Sequence, residues 1–384
     1  MHHVTLRQPG FARRFGAVFV AAFVAGGAAL ALTGCGAFRD WRDEDKGIRL
    51  ERLQAPPGHT VSLFAKDLPK ARQMAHGPEG TIFVGSNDGN VYRLKLQGGR
   101  VSEQSVIARG LTNPSGVAFA GGALFVSDRT RIVRFDNIGQ TAGEPVPKTV
   151  IDGLPDKARH DAHVMGFGPD AKLYVAVGSP CNTCDTGADA FGTILRMQPD
   201  GSGKEVVARG LRNSVGFDWH PVTRELWFTE NGQDELGPER PNDELNRVQR
   251  TGEHFGFPYC HDRAIADPEF GAKRACSEFT APEFGLGAHV AALGMRFMAP
   301  VAGASEVRTL VARHGSHPPT RVGYDVVQVV MPAAGPLRME PYLTGFLQGS
   351  KYWGRPVDVL AMPDGSVLVS DDLNGAIYRV ARMR

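Results

Sequence analysis

The sequence predicts an all-β chain folded as a six-bladed β-propeller, and three observations carry that prediction. A recurring unit, consisting of a small loop, a short apolar strand, a turn and a second strand, can be followed six times from residue 76 to the end. In each copy the apolar residues alternate around a Gly-, Asp- or Pro-bearing turn, as hairpins do, and helix periodicity is absent through most of the chain. The phrase "ARGLTNPSGV" at 108–117 returns one hundred residues later as "ARGLRNSVGF" at 208–217. A strand-only repeat of roughly 40–60 residues builds small sheets whose apolar faces can be buried only against their neighbours, and a propeller meets that need.

The chain opens on a basic stretch (Arg7, Arg13, Arg14) that runs into "FGAVFVAAFVAGGAALAL" and stops at "LTGC". That pattern predicts a secretory signal over 1–34 with a lipoprotein cleavage box, so that Cys35 is the first mature residue and carries the lipid. The alternative is an uncleaved membrane anchor, but the run is rich in Gly and Ala and gives way at once to polar residues. Residues 35–57 are charged, end in Pro-Pro, and predict a tether; residues 58–384 are left for the propeller. Such a protein is expected in the bacterial periplasm, anchored to a membrane.

The copies are read at 76–94, 116–135, 166–197, 216–248, 308–330 and 358–380, with a Cys-, Pro- and Phe-rich insertion at about 249–292 after the fourth. Besides Cys35 the cysteines are Cys181, Cys184, Cys260 and Cys276. An even number in an exported chain favours two disulfides, and Cys181–Cys184 with Cys260–Cys276 is the simplest of the three pairings. A zinc site at "CNTC" lacks a second ligand pair, and the histidine of a haem attachment motif is missing. A net charge of +2 points to neither nucleic acid nor an acidic surface as partner.

"ARGLxN" is read as the connector that feeds the innermost strand of two blades, and innermost strands border the central channel. Arg212 in the second copy, where the first has Thr112, is therefore predicted to line a pocket. Arg212-Asn213, "TENGQD" (229–234), Arg313-His314 and Arg355 fall at equivalent loop ends, and His160 and His163 precede the third copy. Arginines converging in a partly desolvated mouth repel unless an anion such as a polycarboxylate neutralises them. The alternative is three surface arginines on unrelated loops.

"ARGLRNSVGFDWHPVTRELWFTENGQD", "NDELNRV", "HFGFPYC", "CNTC", "ARHGS", "VGYDVV" and "GRPVDVLAMPDGSVLVSDD" resemble the pyrroloquinoline quinone (PQQ)-dependent sugar dehydrogenases, in the sorbosone dehydrogenase branch. The resemblance implies that a sugar or sugar aldehyde is oxidised by hydride transfer to the quinone, with His160 as general base. It implies that Arg212, Asn213, Asn231, Arg313 and Arg355 hold the tricarboxylate quinone, for which arginine forks suit. It further implies calcium bound partly through the carbonyls of Gly232 and Gln233, and electrons passed to a respiratory acceptor, a cytochrome or a quinone. The chain departs from the family where Gly178-Ser179-Pro180 replaces an acidic residue that would orient the histidine, and where "HGSHPPTR" and "FMAPVAGASEV" replace expected aromatic stretches. Two other functions share the architecture: a calcium-dependent lactonase, needing channel carboxylates and Asn around the metal, and a non-catalytic binding propeller.

Overall fold

Each apolar hairpin of the sequence becomes the middle of an antiparallel sheet in the computed structural model, which describes residues 46–138, 145–156, 159–187, 190–300, 303, 305–317 and 321–383. Six such sheets form the blades of a propeller. Blade 1 runs through Ala71–His76, Thr81–Ser86, Val91–Gln97 and Arg100–Ala108, and blade 2 through Val117–Ala120, Ala123–Asp128, Arg131–Asp136 and Lys148–Ile151. Blade 3 has Met165–Phe167, Leu173–Val177, Thr193–Met197 and Glu205–Arg209; blade 4 has Gly216–Trp219, Leu226–Glu230, Asn242–Arg247 and Phe284–Ala288. Blade 5 has Ala292–Phe297, Glu306–Arg313, Asp325–Pro332 and Arg338–Leu343. Blade 6 takes three strands from the C-terminal end, Pro356–Ala361, Val367–Asp371 and Ala376–Arg382, and its outer strand, His59–Ala65, from the start. The last pairing sets His59 opposite Arg382 and Val61 opposite Val380, and so closes the ring.

The alternating pattern gives each sheet apolar residues that interleave with those of the next. One core cluster lies at every blade interface: Val91 and Leu124 between blades 1 and 2, Phe125 and Val175 between 2 and 3, Ala176 and Phe228 between 3 and 4. Trp227 and Val311, Leu310 and Val369, and Leu368 and Val84 continue the series around the ring. Each Val, Leu or Phe among them, fully buried, contributes about 1.5–3 kcal/mol. The glycine of the repeated phrase serves the crowded axis: a Cβ on Gly116 would lie 1.9 Å from the His163 carbonyl oxygen, and one on Gly216 would lie 2.1 Å from that of Leu293.

Two boundaries differ from the sequence expectation. The insertion lies inside blade 4, between its third and outer strands, because Phe284–Ala288 returns to pair with Asn242–Arg247. Glu253–His254 of the insertion pairs in parallel with blade 3, and Phe255 sets its ring edge-on to Phe228 at 4.9 Å. The second difference is in the tether, whose described part does not stand clear of the propeller. Ile48, Leu50 and Leu53 pack against the cluster between blades 5 and 6, and Gln54 exchanges two backbone hydrogen bonds with Thr344 at 3.0 Å. The charges of 36–52 conceal this apolar spacing. Cys35 and the predicted signal lie outside the described residues. The four other cysteines form Cys181–Cys184 and Cys260–Cys276.

Candidate functional site

The acid that ends a blade's second strand fixes the connector entering that blade. Asp128 accepts a hydrogen bond from the Thr112 amide at 2.5 Å, Glu230 from the amides of Arg212 and Asn213 at 2.5 and 2.8 Å, and Asp371 from the Arg355 amide at 2.9 Å. Glu230 also accepts from the Ser214 hydroxyl. Thr112, Arg212 and Arg355 are therefore one repeat position. Because the cap holds backbone, the side chain there is free to differ. Burial pushes Glu230 up to about 7 and Asp371 up to about 6, against the hydrogen bonds that favour their ionised forms.

These connectors meet in a cavity of about 920 Å3 lined from all six blades. Arg72 comes from blade 1, Asn113 from the entry to blade 2, His160 from the entry to blade 3, Arg212, Asn213 and Asn231 from blade 4, His289 from the entry to blade 5 and Arg355 from blade 6. The volume falls within the usual range for a small-molecule site.

Arg212 is 5 % exposed and held on every side. Its Nε donates to the Asn182 carbonyl at 2.9 Å and its two terminal nitrogens to Asn182 Oδ1 at 2.8 Å, Asp234 Oδ2 at 2.8 Å and the Asn231 carbonyl at 3.3 Å. Asn213 Nδ2 donates to Asn231 Oδ1 at 3.0 Å, and Asn231 Nδ2 to the Ala292 carbonyl at 2.6 Å. Asp243 takes the Gly232 and Ala292 amides at 2.9 and 3.0 Å and thereby shapes the "TENGQD" turn.

His160 directs Nδ1 at the Ser179 carbonyl, 3.0 Å away, and at Ser179 Oγ, 3.2 Å away. A carbonyl can only accept, so Nδ1 carries the proton and Nε2 does not. No group among the described residues bonds Nε2, and it remains on the cavity side. Burial, with the charges of Arg212 and Arg159 adding to it, pushes the ring down to about 4 despite the bond that it donates to the Ser179 carbonyl. The imidazole is thus a neutral base at pH 7. Its close seat against blade 3 depends on Gly178, where a Cβ would fall 2.5 Å from both the His160 Cβ and its carbonyl oxygen. Gly178→Ala is expected to cost about 1–3 kcal/mol of stability by overpacking, read as a lowered midpoint of thermal unfolding.

A second histidine faces the same cavity. His314 Nε2 donates to Asp372 Oδ1 at 2.9 Å, and Arg72 donates to Asp372 Oδ2 at 3.0 Å. Burial would raise Asp372, but His314, Arg72 and Arg355 hold it well below the ordinary carboxylate range. Burial and the neighbouring Arg355 push His314 down to about 4, leaving its Nδ1 unprotonated. Arg355 itself donates to the carbonyls of His314 and Gly315 at 3.3 and 3.2 Å and sits over the Tyr324 and Tyr352 rings. Among the described residues no carboxylate pairs with it.

Of the residues singled out in the sequence, His160, Arg212, Asn213, Asn231, Gly232 and Arg355 come together at this cavity. Gln233 lies just behind it, 3 % exposed. Arg313 does not join them, which corrects the expectation for that residue. It stands at the end of a strand opposite Asp325, whose carboxylate it grips with both Nε and a terminal nitrogen at 2.7 and 2.6 Å, and it also bonds the Leu286 carbonyl. Arg313→Ala is expected to destabilise the fold by about 1–3 kcal/mol, since Asp325 loses its partner, while anion affinity in the cavity changes less than threefold. His163 is also excluded: it is fully buried, with Nδ1 donating to the Ala176 carbonyl. Sequence reasoning placed His314 and Asp234 among the loop-end residues without their partners, and missed the roles of Ser179, Asn182, Arg72 and Asp372. The signals available were "GSPCNTC" directly after a blade strand and the second acid of "VSDD".

Fold and cavity together define a six-bladed β-propeller with a neutral histidine and several arginines lining one axial pocket. Within that class, the chain belongs to the TrAA12-like family, whose model matches residues 53–383. An uncharacterized protein of Borreliella burgdorferi is 31 % identical over 347 residues, covering 85 % of this chain and 90 % of its own. The calcium structure of the Trichoderma reesei enzyme of carbohydrate-active family AA12 superposes with a TM-score of 0.77 at 20 % identity, over 86 % of this chain and 97 % of that one. The holo PQQ domain of pyranose dehydrogenase from Coprinopsis cinerea gives 0.73 at 18 % identity, over 86 % and 97 %.

Proposed function

We propose that the protein is a PQQ-dependent oxidoreductase that oxidises a sugar or sugar aldehyde, with calcium as second cofactor. The observation that carries this is the open, unprotonated Nε2 of His160 in a cavity also lined by Arg212, Asn213 and Arg355, of which the Arg355 guanidinium has only carbonyls as hydrogen-bond partners among the described residues. A tricarboxylate quinone suits those donors, Arg355 above all, since its present partners are carbonyls. Calcium suits Gly232 and Gln233, whose carbonyl oxygens no donor among the described residues reaches. Bound there, the quinone would supply a hydride acceptor and the calcium ion a Lewis acid.

The chain's own residues would do the rest. Nε2 of His160 takes the proton from the substrate hydroxyl on the carbon being oxidised, and Nδ1–H, fixed on Ser179, keeps that nitrogen aimed and unprotonated. Arg212 and Arg355 hold anionic groups in a site drawn from all six blades. An aldose reacting as its cyclic hemiacetal would leave as a lactone, and a sorbosone-like aldehyde reacting as its hydrate would leave as an acid. Electrons would go on to a respiratory cytochrome or quinone, and the lipid expected at Cys35 would hold the enzyme at a periplasmic membrane surface near that acceptor.

Dye reduction by the purified chain with added PQQ and calcium, across a panel of aldoses and aldehydes, tests the assignment. Reduction that needs both additions is the expected result. Quinone binding without turnover would make the protein a binding propeller, and no quinone binding would defeat the assignment.

A further inference from the structure

The two side chains on which the proposed chemistry depends are both held from one short loop, which leaves blade 3 directly after its second strand, Leu173–Val177. Ser179 receives His160 Nδ1 on its carbonyl and hydroxyl, and its hydroxyl donates onward to the Cys181 carbonyl at 2.8 Å. Asn182, between the two bridged cysteines, receives Arg212 on its carbonyl at 2.9 Å and again on Oδ1 at 2.8 Å. The same Oδ1 accepts the Asp234 amide at 3.1 Å, and Asp234 is the carboxylate partner of Arg212. The Ser179 amide donates to the Arg212 carbonyl at 2.7 Å, so the loop is also joined to the blade 4 entry through backbone.

We propose that the Cys181–Cys184 loop is the element that positions His160 and Arg212 together, with Ser179 and Asn182 as positioning residues and the disulfide fixing the loop that carries them. Asn182 meets Arg212 with a backbone and a side-chain oxygen at once, which requires a loop held in one conformation. A covalent bridge three residues long removes the alternatives that an open loop would sample. The other disulfide, Cys260–Cys276, joins residues 16 apart, and among the described residues neither of its cysteines bonds His160, Arg212 or the residues that hold them. The functional weight of the proposal rests on the roles assigned above to His160 and Arg212; the placement of the two side chains does not.

The test uses the quinone-free full chain, so that it is separate from the cofactor assignment. Nitrogen NMR of the histidine rings and of the arginine Nε–H groups is recorded for the wild type, for Cys181→Ser/Cys184→Ser, for Asn182→Ala, for Ser179→Ala and for Cys260→Ser/Cys276→Ser. In the wild type His160 is expected as the Nδ1–H tautomer, titrating well below 6.5 because burial and the charges of Arg212 and Arg159 outweigh that of Asp234. The Arg212 Nε–H is expected to exchange slowly. With Cys181 and Cys184 replaced, the midpoint of His160 rises toward 6.5, both tautomers appear, and protection of Arg212 Nε–H falls at least tenfold. Asn182→Ala keeps the carbonyl that takes Nε–H but removes the Oδ1 that holds a terminal nitrogen and the Asp234 amide, so protection of the Arg212 Nε–H falls by a smaller factor while His160 does not move; Ser179→Ala shifts the histidine alone. The Cys260→Ser/Cys276→Ser chain lowers the unfolding temperature and moves neither signal. Unchanged His160 and Arg212 signals in the folded Cys181→Ser/Cys184→Ser chain would overturn the proposal. If that chain does not fold, unchanged signals in both Ser179→Ala and Asn182→Ala would overturn it equally. Failure of the wild type to bind PQQ would defeat the functional assignment alone, because no NMR readout involves quinone.

Discussion

Replacing His160 by alanine is expected to lower kcat by roughly 10²- to 10⁴-fold, the usual contribution of a positioned base, while quinone affinity stays within a few-fold of wild type. The imidazole bonds only Ser179 among the described residues, so its loss leaves the Asn182, Asp234 and Asn231 contacts of Arg212 in place. The pH dependence has a definite sign. Burial and Arg212 depress the His160 pKa to about 4, so the base form is populated above that value and is lost as pH falls through it. The acid limb of activity should accordingly lie below the ordinary histidine range. Retained turnover in His160→Ala would transfer the base to His314, whose Nδ1 is open and whose partner Asp372 is ionised; His314→Ala would then be the inactive variant.

Arg212→Thr is expected to weaken quinone binding by roughly 10- to 150-fold, the worth of one charge-assisted hydrogen bond, with the fold kept. Threonine is what the equivalent position of blade 2 carries. There Asp128 caps the Thr112 amide as Glu230 caps that of Arg212, through backbone in both cases. The substitution therefore writes one blade's connector into another's without disturbing the cap. Arg212→Lys should recover little, since a point charge cannot meet Asn182, Asp234 and Asn231 at once as a fork does. Full affinity in Arg212→Thr, measured by quenching of intrinsic fluorescence, would remove this residue from the cofactor site.

Much of this arrangement was legible because a propeller repeats. The comparison of 108–117 with 208–217 located a connector and the one cation that distinguishes its copies, and the acids of "VSD", "FTE" and "VSD" mark the caps that make the connectors equivalent. What stayed hidden is non-local. His59–Ala65 closes blade 6 only through pairing with Ala376–Arg382 at the other end of the chain. Phe284–Ala288 returns to blade 4 across an insertion that reads as a break between blades. Arg313 was misplaced because spacing shows the strand end but not the side to which the guanidinium turns, and Asp325 across the register decides that. The family pattern implies an acid to orient His160, and a serine carbonyl, which leaves no trace in residue type, takes the role.

The central claim is that the axial cavity binds an anionic quinone through Arg212. Calorimetric titration of the purified chain with PQQ in excess calcium tests it most directly. One quinone per chain is predicted, with affinity lowered at least tenfold in Arg212→Thr and changed less than threefold in Arg313→Ala. Absence of binding, or binding indifferent to Arg212→Thr, would contradict it.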